Sequence, residues 1–210
     1  MIDFPQNTQV NKRIPKEAFY KHLELSAALK RKFISDIESI TVAYSLTSKN
    51  LNLTTESPIN EILLLSIWVK AINYEKKLLE EIARQNQHKL LFKISNGDNV
   101  QLAVYCNRFY CSEWMNVDKL ALSLHGNTLD EIWENLVRPI AITSAPLQEQ
   151  TGLTLEEQLQ RQNEISRLTK LINKTEKAVW KERQPKKSFE LYTVLHEYKN
   201  QLEDIINGND

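Results

Sequence analysis

The sequence predicts an α+β protein: N-terminal helices, a small and mostly antiparallel sheet built on a β-α-β-β unit, and a C-terminal antiparallel helical hairpin. Three observations predict it. The run Ile62-Leu63-Leu64-Leu65-Ser66-Ile67-Trp68-Val69 is apolar on both faces apart from Ser66, the mark of an interior strand. An amphipathic stretch follows, then two apolar runs divided by Asn96-Gly97-Asp98, which together make a crossover and a hairpin. From Thr154 onward, apolar residues recur in threes, fours and sixes among charges, the pattern of long paired helices.

Composition narrows the function classes. The 210 residues are 41% hydrophobic and 26% charged, ordinary usage for a soluble chain of one or two domains. Lys plus Arg and Asp plus Glu number 27 each, so no global charge points to nucleic acid or an anionic membrane. Four glycines argue against a glycine-rich phosphate loop. Two cysteines, Cys106 and Cys111, make no disulfide framework and read as buried free thiols. The opening residues lack an apolar leader and the longest apolar run is too short for a bilayer, so a soluble cytoplasmic protein is expected.

Taken in order, Met1 to Pro15 reads as an extended arm, interrupted by Pro5 and Pro15. Pro15 suits the first turn of a helix over Lys16 to Leu23. Ser26 caps a second helix, expected from Ala27 to about Leu46, with Leu29, Phe33, Ile37, Ile40 and Tyr44 on one face. The interior strand Ile62–Val69 comes next, then a helix over Asn73 to Gln87 whose stripe is Tyr74, Leu78, Leu79, Ile82 and Ala83. Strands are expected at Lys89–Ser95, Val100–Cys106 and Phe109–Trp114, and a short one at Leu120–Leu124. Thr128 and Glu131 form a capping box for a helix from Leu129 that Pro139 should stop.

The domain expectation is an α+β domain at 1–142, a linker at 143–153 bracketed by Pro146 and Gly152, and a hairpin at 154–207 broken by Gln184-Pro185-Lys186-Lys187. One apolar stripe per helix lets the hairpin pair with itself and leaves little for a core of its own.

Chemistry is sparse. His22, His88, His125 and His196 are scattered outside any metal spacing, and no nucleotide fingerprint or nucleophile elbow occurs. No cofactor or metal is expected. A restriction-type nuclease would place an acid and a lysine together beside Mg²⁺. Glu61 opens the central strand and Lys70 closes it, but Trp68 stands where an acid should precede the lysine. Both residues read instead as polar ends of a buried strand. The early basic residues Lys12, Arg13, Lys16, Lys30 and Arg31 are candidate phosphate contacts. Of four tryptophans, Trp68, Trp114 and Trp133 lie in apolar patterns and read as core. Trp180 sits among Lys177, Lys181, Arg183, Lys186 and Lys187 at the hairpin tip, where it suits a partner.

Several motifs carry a family resemblance. They are Thr8-x-Val10-Asn11-Lys12-Arg13-Ile14-Pro15-Lys16 with Phe19-Tyr20, Phe33-x-x-x-Ile37-Glu38-x-Ile40, and Glu113-Trp114. To these are added Leu120-x-Leu122-x-Leu124-x-Gly126-x-x-Leu129-Asp130-x-Ile132-Trp133-Glu134-Asn135 and Leu155-Glu156-Glu157-Gln158-Leu159-x-Arg161-Gln162. Over essentially its whole length the chain resembles the domain of unknown function family forty-three ninety-one. The resemblance implies a small cytoplasmic prokaryotic protein, often encoded beside helicases and DNA methyltransferases of restriction-like defence islands. It carries over no catalytic residue.

The expected function is therefore a non-catalytic scaffold subunit of such a defence complex. Its partner would be a helicase or methyltransferase of the same gene cluster, or a second copy, held by a hairpin surface that includes Leu168, Leu171, Trp180, Tyr192 and Leu195. The alternative is direct nucleic-acid binding through the basic arm and hairpin tip. A divergent Mg²⁺-dependent nuclease is the least favoured reading.

Overall fold

A computed structural model describes residues 2–18, 23–53, 57–143 and 152–207. The chain forms two compact units, Met1–Ala141 and Ile142–Asp210. The expected linker at 143–153 lies largely outside the described residues, as do residues 19–22 of the first expected helix.

The first unit is built on a sheet with strand order β2-β3-β4-β5-β6-β7, with β8 also beside β6. Its strands are β2 (Gln9–Ile14), β3 (Ile37–Leu46), β4 (Ile62–Val69), β5 (Lys89–Asn96), β6 (Asn99–Cys106), β7 (Arg108–Cys111) and β8 (Met115–Asn116). A separate parallel pair joins β1 (Ile2–Asp3) to β9 (Leu122–Ser123). Among the described strands of the main sheet only β4 and β5 run parallel; helix α2 (Lys77–Arg84) connects them, and β6 returns antiparallel. The β-α-β-β unit is therefore the centre of the fold. Gly97, at φ 56°, supplies the positive φ that the two-residue loop between Asn96 and Asn99 needs.

Strand register divides the sheet into two faces. Ile40, Ile67, Ile94, Leu65, Phe92 and Ala103 share one face and pack with Phe33, Leu78, Leu79 and Ile82 from α1 (Ala27–Asp36) and α2. Ile62, Leu64, Leu91 and Val104 are buried on the other. Helix α3 (Leu129–Ala141) belongs to that second face: Lys89 Nζ lies 5.9 Å from the Trp133 ring. Burial on both sides over most of its length explains why β4 reads as an apolar run interrupted only by Ser66. Each fully buried Leu or Ile there contributes about 1.5–3 kcal/mol.

Several elements differ from the sequence expectation. The helix begun at Ser26 ends at Asp36, and Ile37–Leu46 is a ten-residue strand. Its buried residues are Ile37, Ile40, Ala43 and Leu46, three apart, which imitates a helical stripe. The spacing arises from β-bulges between Ile37 and Ser39 and between Val42 and Tyr44. Each inserts a residue and reverses which face the chain presents. The N-terminal arm is an edge strand rather than a free segment, with its own bulge at Asn11 (φ 51°). Helix α3 continues past Pro139 to Ala141, because Ile140 and Ala141 are buried and only one helical N–H is forfeited. The strand expected at Phe109–Trp114 stops at Cys111, and the chain rejoins β6 at Met115. No described helix is long and apolar enough to cross a membrane.

The second unit is an antiparallel pair, α4 (Leu155–Lys181) and α5 (Pro185–Asn207). Thr154 and Glu157 close a capping box at the start of α4. Pro185 occupies the first turn of α5, where its missing N–H costs nothing. A 2.8 Å ion pair between Lys199 and Glu176 links the two helices.

Candidate functional site

The candidate interface residues on the hairpin separate into two groups. Leu168 and Leu195 are 0% and 7% exposed and pack inside the unit, while Leu171 is half-buried. Trp180 is 89% exposed and Tyr192 is 61% exposed, with Phe189, from the same apolar pattern as Tyr192, at 72%. Phe189 and Tyr192 stand three residues apart, hence on one side of α5 near its start. Trp180 ends α4 one residue before its last. Lys177, Lys181, Arg183, Lys186 and Lys187 are all exposed in the same stretch. The hairpin end is an aromatic surface set among cations.

The five candidate phosphate contacts do not form one cluster. Lys12 pairs with Val42 and Arg13 with Thr41, so consecutive residues of β2 present to opposite faces of the sheet. Lys30 and Arg31 are exposed on α1, which covers the face that Lys12 shares. Lys16 donates to the Ile37 carbonyl at 2.5 Å. It lines a cavity of about 400 Å³ with Arg13, Glu17, Ile34, Glu38 and Ser39.

Glu61 and Lys70 are kept apart by the full length of β4, about 30 Å at strand spacing, and cannot share one metal ion. Glu61 accepts a hydrogen bond from Ser45 Oγ, and its other oxygen lies 3.2 Å from His88 Nδ1. It thus ties the end of β3 to the start of β5. Lys70 Nζ donates to the Ile34 carbonyl at 3.1 Å. Among the described residues no group of three His, Cys, Asp or Glu side chains is placed to hold a metal.

Cys106 pairs with Arg108, and Cys111 with Ala103, across the β6–β7 hairpin. Ala103 and Cys106 are three apart, so the two thiols lie on opposite faces of the sheet and cannot meet. Both cysteines are free but half-buried rather than buried; Cys106 contacts Trp133, and its partial burial pushes its pKa up to about 11. Burial also raises Cys111. Both thiols stay protonated and unreactive near neutrality.

Tyr74 is buried, donates to Gln101 Oε1 at 2.9 Å, and has its pKa raised far above the ordinary phenol range by burial. Gln101 in turn donates to the Ser112 carbonyl at 2.7 Å, a chain of bonds that holds α2's entry against β6. Trp133 is buried, and Trp114 meets the Tyr74 ring edge-on at 6.3 Å. Trp68 departs from the core expectation at 43% exposed.

The model of the family described as Domain of unknown function (DUF4391) matches residues 2–202. The chain belongs to that family. Its aromatic hairpin end and its bulged basic edge strand both lie within the matched region. No curated protein and no solved structure matches the chain.

Proposed function

We propose that this DUF4391 member is a non-catalytic assembly subunit whose hairpin end docks a protein partner. The observation that carries the reading is the exposure of Trp180, Phe189 and Tyr192 together at one end of an otherwise self-paired hairpin. Aromatic side chains are the commonest anchors of protein interfaces, since they bury large area at little entropic cost. The surrounding cations favour an acidic partner surface. The resemblance to proteins encoded beside helicases and methyltransferases supports a defence complex as the setting.

The test is a pull-down with the tagged full-length chain from its host at moderate and high salt. The chain should retain a helicase or methyltransferase at high salt, and the variant Trp180→Ser/Phe189→Ser/Tyr192→Ser should lose it. Equal capture by both proteins would refute the reading. Direct nucleic-acid binding is a second reading, favoured by the five cations around Trp180. It requires capture that collapses as salt rises.

A further inference from the structure

The register of the central sheet brings together residues that are far apart in sequence. Arg13 pairs with Thr41, Thr41 with Ser66, and Ser66 with Lys93, so the four stand side by side across β2, β3, β4 and β5. One step along, Ser39 pairs with Trp68 and Trp68 with Ser95. All lie on the face opposite the α1–α2 core, since Ile67 and Ile94, the residues between, belong to that core. A polar band thus crosses the sheet beside the apolar row of Leu64, Leu91 and Val104.

Apart from Ser95, which is buried, the band is accessible. Trp68 is 43% exposed, Arg13 is exposed, and Thr41, Ser66, Lys93 and Ser39 are half-buried. A tryptophan on an interior strand would ordinarily be covered. Three inter-strand steps separate Arg13 from Lys93, about 14 Å, with hydroxyls between the two cations. At the β2–β3 end the band opens into the cavity of about 400 Å³, which Arg13 and Ser39 share. The carboxylates of Glu17 and Glu38 also line it.

We propose that this band binds single-stranded nucleic acid, independently of the hairpin's partner. Two cations flanking hydroxyls match the phosphates of an extended strand, and an exposed indole offers a stacking platform for a base. Glu17 and Glu38 in the cavity accept from base amino groups, with the Arg13 and Lys16 cations beside them, so a base edge occupies the cavity while the backbone runs along Arg13 and Lys93. In a duplex the bases are paired and stacked within the helix, so none is free to stack on Trp68.

The experiment is fluorescence anisotropy of the full-length chain with a labelled oligothymidylate of about 20 nucleotides, across a salt series. The wild type should bind at low salt and prefer the single strand to a duplex of equal length. Trp68→Ala should weaken binding about tenfold or more, while Trp68→Phe keeps most of it. Arg13→Ala/Lys93→Gln should make the log–log salt slope shallower by about 1.4. Lys186→Gln/Lys187→Gln should change nothing. No binding by the wild type would overturn the proposal, as would binding indifferent to Trp68→Ala. Loss confined to the Lys186/Lys187 variant would overturn it too and favour the hairpin instead.

Discussion

Replacing Glu61 separates a structural role from a catalytic one. Its carboxylate accepts from Ser45 on β3 and lies 3.2 Å from His88 at the entry to β5, with 24% of the side chain exposed. Glu61→Ala removes both bonds and leaves Ser45 and His88 to find water. At about 0.5–1.5 kcal/mol each, the loss should be about 1–3 kcal/mol. For a chain of this size, a 2 kcal/mol loss lowers the melting temperature by about 4–8 °C. Glu61→Gln keeps an acceptor for Ser45 and should cost about half as much. Urea unfolding followed by tryptophan fluorescence, with melting by circular dichroism, reads both variants. An unchanged urea midpoint in Glu61→Ala would refute the strand-clamp reasoning. So would a Mg²⁺-dependent nuclease activity that the substitution abolishes without loss of stability.

Three other outcomes follow from single features. Gly126 has φ 136°, and a Cβ there would meet Glu131 Cβ at 2.7 Å and the Ile132 nitrogen at 2.9 Å. Gly126→Ala should therefore destabilise by about 2 kcal/mol or more in urea melts, with α3 displaced at its start. The raised pKa of Cys106 means that the unfolded thiol ionises first as pH rises. Stability should fall from about pH 9 through the folded pKa near 11, less steeply in Cys106→Ala; a flat wild-type profile there would contradict the burial of this thiol. Thr154→Ala should cost about 1 kcal/mol of hairpin stability, seen as faster amide exchange in the first turn of α4. Hydrogen bonds from Thr154 hold Glu157 below the usual carboxylate range, so the cap is complete above the unfolded pKa and is lost as pH falls through the folded one.

The parts of the fold that the sequence showed are those with local, single-period signals. The strand Ile62–Val69, the Asn96-Gly97-Asp98 turn and the two hairpin helices each declare themselves within a dozen or so residues. Strand β3 did not, because two bulges convert alternation into a spacing of three. Strand β2 is exposed along almost its whole length and is a strand only because β3 pairs with it. The candidate surfaces were legible in part. Trp180 stood out among cations, whereas the burial of Leu168 and Leu195 was not legible, because buried and exposed leucines look alike in sequence. The polar band was out of reach, since Arg13, Thr41, Ser66 and Lys93 come from four strands and meet only through register.

The central claim is that the hairpin end is a docking surface and not part of the protein's own packing. It is tested most directly by calorimetric titration of the captured partner against the wild type and the Trp180→Ser/Phe189→Ser/Tyr192→Ser variant, with a urea melt of each. The account predicts that the variant keeps the wild-type melt and loses binding by at least a hundredfold, about 2.7 kcal/mol. Undiminished binding, or a variant that unfolds as Leu168→Ala should, would contradict it.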